Sequence, residues 1–146
     1  LTFYVSQRLD ERQNHNARPI AMSEDGINQV ILQRNYQHHY VANGTINGET
    51  VTFLVDTGAT TVSVPAHLAE KLQLQPGAVQ LTNTANGVIE TRATRIDELR
   101  LGTITLHKVR ASINPGMRSD EILLGMSALK TIEFTHRDGT LTLKQY

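Results

Sequence analysis

Phe53-Leu54-Val55-Asp56-Thr57-Gly58-Ala59-Thr60 is an apolar run that ends abruptly on an acid, a hydroxyl and a glycine. Just upstream, Val51, Phe53 and Val55 alternate with Thr50, Thr52 and Leu54, the period-two pattern of a mostly buried strand. Asp56 arrives where that strand should be deepest. A carboxylate removed from water costs several kcal/mol unless hydrogen bonds or chemistry compensate. A surface turn would use the same residue types, since Asp and Gly are common in turns. Against that reading stands Ile122-Leu123-Leu124-Gly125, a second apolar run closing on glycine, also bounded by polar residues. The pair points to a functional site rather than a loop.

Working outward, the chain reads as a small, mostly β domain. Val30-Ile31-Leu32 is a strand, Tyr40 to Ile46 a second, and Asn47-Gly48 a two-residue hairpin turn into the strand from Thr50 to Val55. Thr61 to Val64 resumes as a strand. Pro65 suits the first turn of a short helix, in which Leu68 and Leu72 share a face, and which stops before Pro76-Gly77. Val79 to Asn83 and Glu90 to Ile96 flank Thr84-Ala85-Asn86-Gly87-Val88-Ile89, whose Asn86-Gly87 is the clearest hairpin turn in the chain. Leu99 to Leu101 and Ile104 to Val109 alternate around Gly102-Thr103. A second short helix is expected from Met126 to Lys130. Ile132 to Thr135 and Thr140 to Lys144 then close the chain around Asp138-Gly139. Residues 1–28 read as an N-terminal arm or linker, with Thr2-Phe3-Tyr4-Val5 able to pair as a strand and Pro19 to Gly26 turn-rich, which leaves 29–146 as the folded domain.

Composition narrows the function classes. Lys plus Arg and Asp plus Glu each total 14, so no net charge steers nucleic acid towards the chain. Hydrophobic residues make up 39%, ordinary for a folded domain. No apolar run approaches the roughly 20 residues of a membrane helix. There are no cysteines, which removes disulfides and thiolate-held metal. His38 and His39 would point to opposite faces of a strand, and His15, His67, His107 and His136 show no ligand spacing. Neither a metal nor a cofactor is expected, and no Ser or Cys sits in a nucleophile motif.

Asp56-Thr57-Gly58-Ala59 after an apolar strand, with Leu123-Leu124-Gly125-Met126-Ser127-Ala128-Leu129 downstream, resembles the single-domain retropepsin-like aspartic proteases, bacterial type. The resemblance covers about Gln29 to the C-terminus. It implies a retropepsin-like acid protease fold: a closed, barrel-like β domain with a flap hairpin and two short helices. The helix after Pro65 favours the cellular and bacterial branch, since viral retropepsins generally lack one there.

The resemblance further implies that Asp56 is catalytic and that Thr57, Gly58 and Ala59 support its loop. Thr57 would hydrogen-bond across to an identical loop. Gly58 would offer its amide near Asp56, where a β-carbon would obstruct it. Residues 84–89 would form the flap over substrate, and Leu123, Leu124 and Gly125 would run beside the catalytic loop. Asp-Thr-Gly occurs once in 146 residues. Two facing carboxylates therefore require two chains, a homodimer with Asp56 on its two-fold axis acting on a peptide or protein substrate. Leu141 and Leu143, on the terminal strand, are expected at that interface. Bacterial relatives of this kind often carry an N-terminal membrane anchor, so a periplasmic location, free or anchored through a segment absent from this chain, is implied, with the cytoplasm as the alternative.

Three departures from the familiar patterns stand out. Ala59 occupies the place where pepsin-like loops usually put a serine, which implies an optimum less acidic than pepsin's. Thr60 and Met126 stand where viral enzymes often place an aspartate and an arginine that pair, so that ion pair cannot form. The glycine-rich tip of viral flaps is replaced by Ala85, Asn86 and Val88. The competing class is a non-catalytic module that keeps the fold and groove for peptide binding or dimerisation.

Overall fold

The computed structural model describes residues 14, 16, 18–84 and 87–146. The expected strand at Thr2 to Val5 and the hairpin tip at Ala85 and Asn86 lie outside the described residues. Among the described residues, eleven strands and two short helices follow in order: β1 Ile20–Glu24, β2 Ile27–Gln33, β3 Val41–Ile46, β4 Glu49–Val55, β5 Val62–Pro65, α1 Ala66–Ala69, β6 Val79–Thr84, β7 Gly87–Leu101, β8 Ile104–Asn114, β9 Glu121–Leu124, α2 Met126–Leu129, β10 Glu133–Arg137 and β11 Thr140–Gln145.

The strands form two sheets. The larger runs β3-β4-β9-β5-β8-β7-β6, and a second pairing of β3 with β7 closes all but β6 into a six-stranded barrel. That closure rests on Thr45 opposite Arg100 and Ile46 opposite Leu99. At this seam Gly44 has no room for a side chain, because a β-carbon would meet the Arg100 carbonyl and the Phe53 ring. The smaller sheet, β1-β2-β11-β10, is antiparallel throughout. Val30, Leu32, Leu141 and Leu143 from it join the barrel residues Ile46, Phe53, Ile96, Leu99 and Ile122, and Leu129 of α2, in one buried core. Each fully buried large apolar side chain contributes roughly 1.5–3 kcal/mol.

Turn chemistry explains most element boundaries. Asn47-Gly48, Asp138-Gly139 and Asp25-Gly26 each hold two consecutive left-handed residues, the primed-turn geometry that matches strand twist. The third pair joins β1 to β2, so residues 20–24, within the segment read as an arm, form a sheet strand. Every residue of β1 is exposed, which leaves no apolar alternation to reveal it. Asn16 is pinned as well: its side chain donates to the Gln33 and Val41 carbonyls and accepts from the Gln33 amide, at 2.8, 2.9 and 2.7 Å.

Three expectations are corrected. The strands foreseen at Glu90 to Ile96 and Leu99 to Leu101 are one 15-residue strand, β7. Pro65 does mark the start of α1, but as its N-cap and the last residue of β5 rather than within the first turn. His38 and His39 lie in the loop between β2 and β3, not on a strand.

Candidate active site

Asp56 stands where β4 leaves the barrel. β9 lies parallel to β4, with Phe53 opposite Ile122 and Val55 opposite Leu124. It also touches the outgoing limb, Ser63 of β5 opposite Leu123. The Ile122 to Gly125 segment is thus wedged between the two limbs of the Asp56 loop. The Asp56 amide donates to the Leu124 carbonyl at 3.1 Å, and the Met126 amide to the Ala59 carbonyl at 2.8 Å. Gly125 is buried beneath the loop. A β-carbon there would collide with the Thr61 carbonyl and lie 2.8 Å from the Ala59 oxygen.

The loop is closed on itself by Asp56. Its carboxylate Oδ1 accepts from the Gly58 amide at 3.0 Å, and its carbonyl accepts from the Ala59 amide at 3.2 Å. The acid foreseen as deeply buried is half-buried in the single chain, and Thr57 and Gly58 are exposed. The reason is geometric: Val55 is the last residue of β4, so the loop projects beyond the sheet.

Further polar residues hold this loop, and their roles were missed in the sequence. The Ser127 hydroxyl, on α2, donates to the Arg110 carbonyl at 2.6 Å and accepts from the Val62 amide at 2.9 Å. Ser112, 2% exposed, interrupts the apolar run Ala111 to Ile113 of β8. Its hydroxyl is 3.0 Å from that of Thr61 and accepts from the Gln80 side-chain amide, also at 3.0 Å. A buried serine inside an apolar strand was the available signal.

The β6–β7 hairpin pairs Thr82 with Ile89, Asn83 with Val88 and Thr84 with Gly87. Gly87, at φ 107°, therefore opens the return strand instead of filling a turn position. The Thr84 hydroxyl donates to its carbonyl at 2.7 Å. Ile89 packs towards the turn at Gly116, whereas Val88 is 61% exposed.

Leu141 and Leu143, expected at a dimer interface, are instead 4% and 0% exposed inside their own subunit. Alternation along β11 turns both into the core, and it is Thr140, Thr142 and Lys144 that face outward. Among the described residues no group of three or more His, Asp or Glu side chains gathers around one point. His67 pairs with Asp120 at 2.7 Å on the surface. Beside the site, the Tyr40 carbonyl accepts from the Val55 amide at 2.9 Å. The Tyr40 hydroxyl is shielded from solvent and has no hydrogen-bond partner, and its ring meets His136 edge-on at 5.5 Å. Burial pushes this phenol above its ordinary 10.0, opposed by the positive charge of Arg34.

Residues 42–131 match the family described as gag-polyprotein putative aspartyl protease. An uncharacterized Sinorhizobium protein is 32% identical over 117 residues, 78% of this chain and 50% of that protein. An uncharacterized Rickettsia prowazekii protein is 26% identical over 123 residues, 82% of this chain and 52% of its own length. The chain therefore spans about half the length of these curated relatives. In structure it resembles a retropepsin-like aspartic protease from Rickettsia conorii, with a TM-score of 0.67, 23% identity, and coverage of 86% of this chain and 94% of that one. It also resembles the EIAV protease bound to an inhibitor, with a TM-score of 0.55, 19% identity, and coverage of 68% and 92%. The closed, mostly-β barrel is the fold that this chain shares with them. With an Asp-Thr-Gly loop seated on an apolar-apolar-Gly strand, this chain belongs to the gag-polyprotein aspartyl protease family and is retropepsin-like.

Proposed function

We propose that this protein is a homodimeric aspartic endopeptidase in which Asp56 of two copies activates a water against a peptide bond. The observation that carries the reading is the seat of Asp56: one acid per chain, at the rim of the barrel, its carboxylate held by the Gly58 amide. A half-exposed acid on an exposed loop is a surface that a second identical loop can cover.

The chemistry follows from charge repulsion. In aspartic proteases generally, two carboxylates about 3 Å apart cannot both ionise, so one keeps a proton. The ionised partner takes a proton from the trapped water as it attacks the scissile carbonyl. The neutral one donates to the carbonyl oxygen and stabilises the tetrahedral intermediate. Titration then belongs to the pair rather than to either chain. The exposed Thr57 hydroxyl would reach the facing loop, and an extended peptide would lie as a strand beneath residues 84–89. A periplasmic location is proposed with this activity; a reporter fused to the full-length protein that is active only in the cytoplasm would refute it.

The test is cleavage of a broad peptide library, with sedimentation of the same sample. Wild type is expected to cleave as a dimer, and Asp56→Asn to lose on the order of 10³-fold in rate or more while keeping fold and dimer. Cleavage by a strict monomer would overturn the mechanism. A well-folded wild type that binds peptides but cleaves none would favour the non-catalytic binding module.

A further inference from the structure

The β6–β7 hairpin and the Asp56 loop are joined by three side chains. Gln80 sits on β6 opposite Thr91, and Ser112 on β8 opposite Ala93, so the glutamine reaches across β7 to meet the serine. Its Nε2 donates to Ser112 Oγ at 3.0 Å, and Ser112 Oγ lies 3.0 Å from Thr61 Oγ1. Thr61 is the last residue of the Asp56 loop before β5, and its carbonyl rests on Gly125.

Position and burial make this more than a surface contact. Ser112 is 2% exposed, and its strand neighbours Ala111 and Ile113 belong to the apolar core. An apolar trio in these places would pack without desolvating three polar groups, so the polar chain costs stability that packing alone does not require. What it supplies is direction. A hydrogen-bond chain anchored on a buried hydroxyl has a defined geometry, and moving one end breaks or strains it where an apolar contact would slide.

Resting on the protease reading, we infer that Gln80, through Ser112 and Thr61, is a positioning residue that couples the hairpin to the loop carrying Asp56. Substrate entering beneath the hairpin displaces β6 and is felt at the carboxylate through Thr61. Loss of the Gln80 amide uncouples the two. The Asp56 loop then samples more orientations even though no residue of that loop has changed.

The test is amide hydrogen exchange on full-length wild type, Gln80→Met and Gln80→Glu, with cleavage kinetics in parallel. Met keeps the length of glutamine without its hydrogen bond. Glu accepts from the Ser112 hydroxyl, which then accepts from Thr61, so the chain is restored with its direction reversed. Gln80→Met is expected to speed exchange several-fold at Gly58 and Ala59, and to lower kcat several-fold with a smaller change in KM. Gln80→Glu is expected to recover most of both. Faster exchange confined to residues 79–92, with Gly58 and Ala59 unchanged, would overturn the coupling. So would a Glu variant indistinguishable from Met. If wild type cleaves no peptide, the protease reading fails while the exchange result still decides the coupling.

Discussion

At the residue scale, Gly125 is the least replaceable position in the site. Its backbone lies under the Thr61 and Ala59 carbonyls, neither of which can move without opening the Asp56 loop. Gly125→Ala should therefore cost about 3 kcal/mol or more, read as a lowered midpoint in urea. Tyr40 makes the opposite case. Its buried hydroxyl has no partner, so Tyr40→Phe should be neutral or stabilising by up to about 1 kcal/mol. The pH sign follows from its raised phenol. Below 10.0 both folded and unfolded states hold the proton, and stability is flat. As pH climbs through that value the unfolded chain ionises first, so the fold loses stability. Tyr40→Phe should shift alkaline unfolding upward, measured by circular dichroism against pH. Gly125 was legible because the carbonyls over it leave no room for a side chain, whereas a β-carbon at Gly58 would meet only the Asp56 carboxylate, at 3.3 Å. Leu141 and Leu143 were misassigned because alternation names the buried face of a strand but not whether its own subunit or a partner covers it.

At the element scale, the wedge of β9 and α2 is what holds the Asp56 loop in place. Ser127 joins α2 to the start of β5 and to β8 in two hydrogen bonds. Ser127→Ala would leave the Val62 amide and the Arg110 carbonyl without this partner. The expected cost is about 1–2 kcal/mol in thermal unfolding, with cleavage reduced in step. Turn residues placed most elements in the sequence. Asn47-Gly48 and Asp138-Gly139 fall where expected because left-handed backbone admits few residue types. β1 escaped notice despite its Asp25-Gly26 turn, since every one of its side chains is exposed and a strand without a buried face carries no period-two signal. β7 was divided in two for a related reason. Its burial pattern changes phase between Ile96 and Leu99, where Asp97 and the left-handed Lys108 drop out of the β7–β8 register.

At the scale of the whole molecule, the proposed dyad, with one Asp-Thr-Gly loop per chain, would tie rate to association. Specific activity should fall as the enzyme is diluted through its dimer dissociation constant, and the same dilution should move the sedimentation coefficient from dimer to monomer. Thr60 and Met126 supply no loop ion pair, so added salt should weaken the proposed dimer little. With Ala59 in place of a supporting hydroxyl, the pH–rate maximum should lie well above pepsin's. A rate that keeps rising into strong acid would contradict that. The mostly-β character was readable from strands and turns and the barrel only through the family resemblance; its closure through β3 and β7 was not readable, because only two residue pairs specify it.

The order of the strands along the chain also matters during synthesis. β4 is made early, yet its parallel neighbour β9 lies about 70 residues later. Such long-range pairing is slow to form and waits for most of the polypeptide to leave the ribosome. A nascent chain halted before Leu124 holds its acid on a floor that has not yet been built. If the proposed activity holds, it would arise only once translation of the domain is nearly finished.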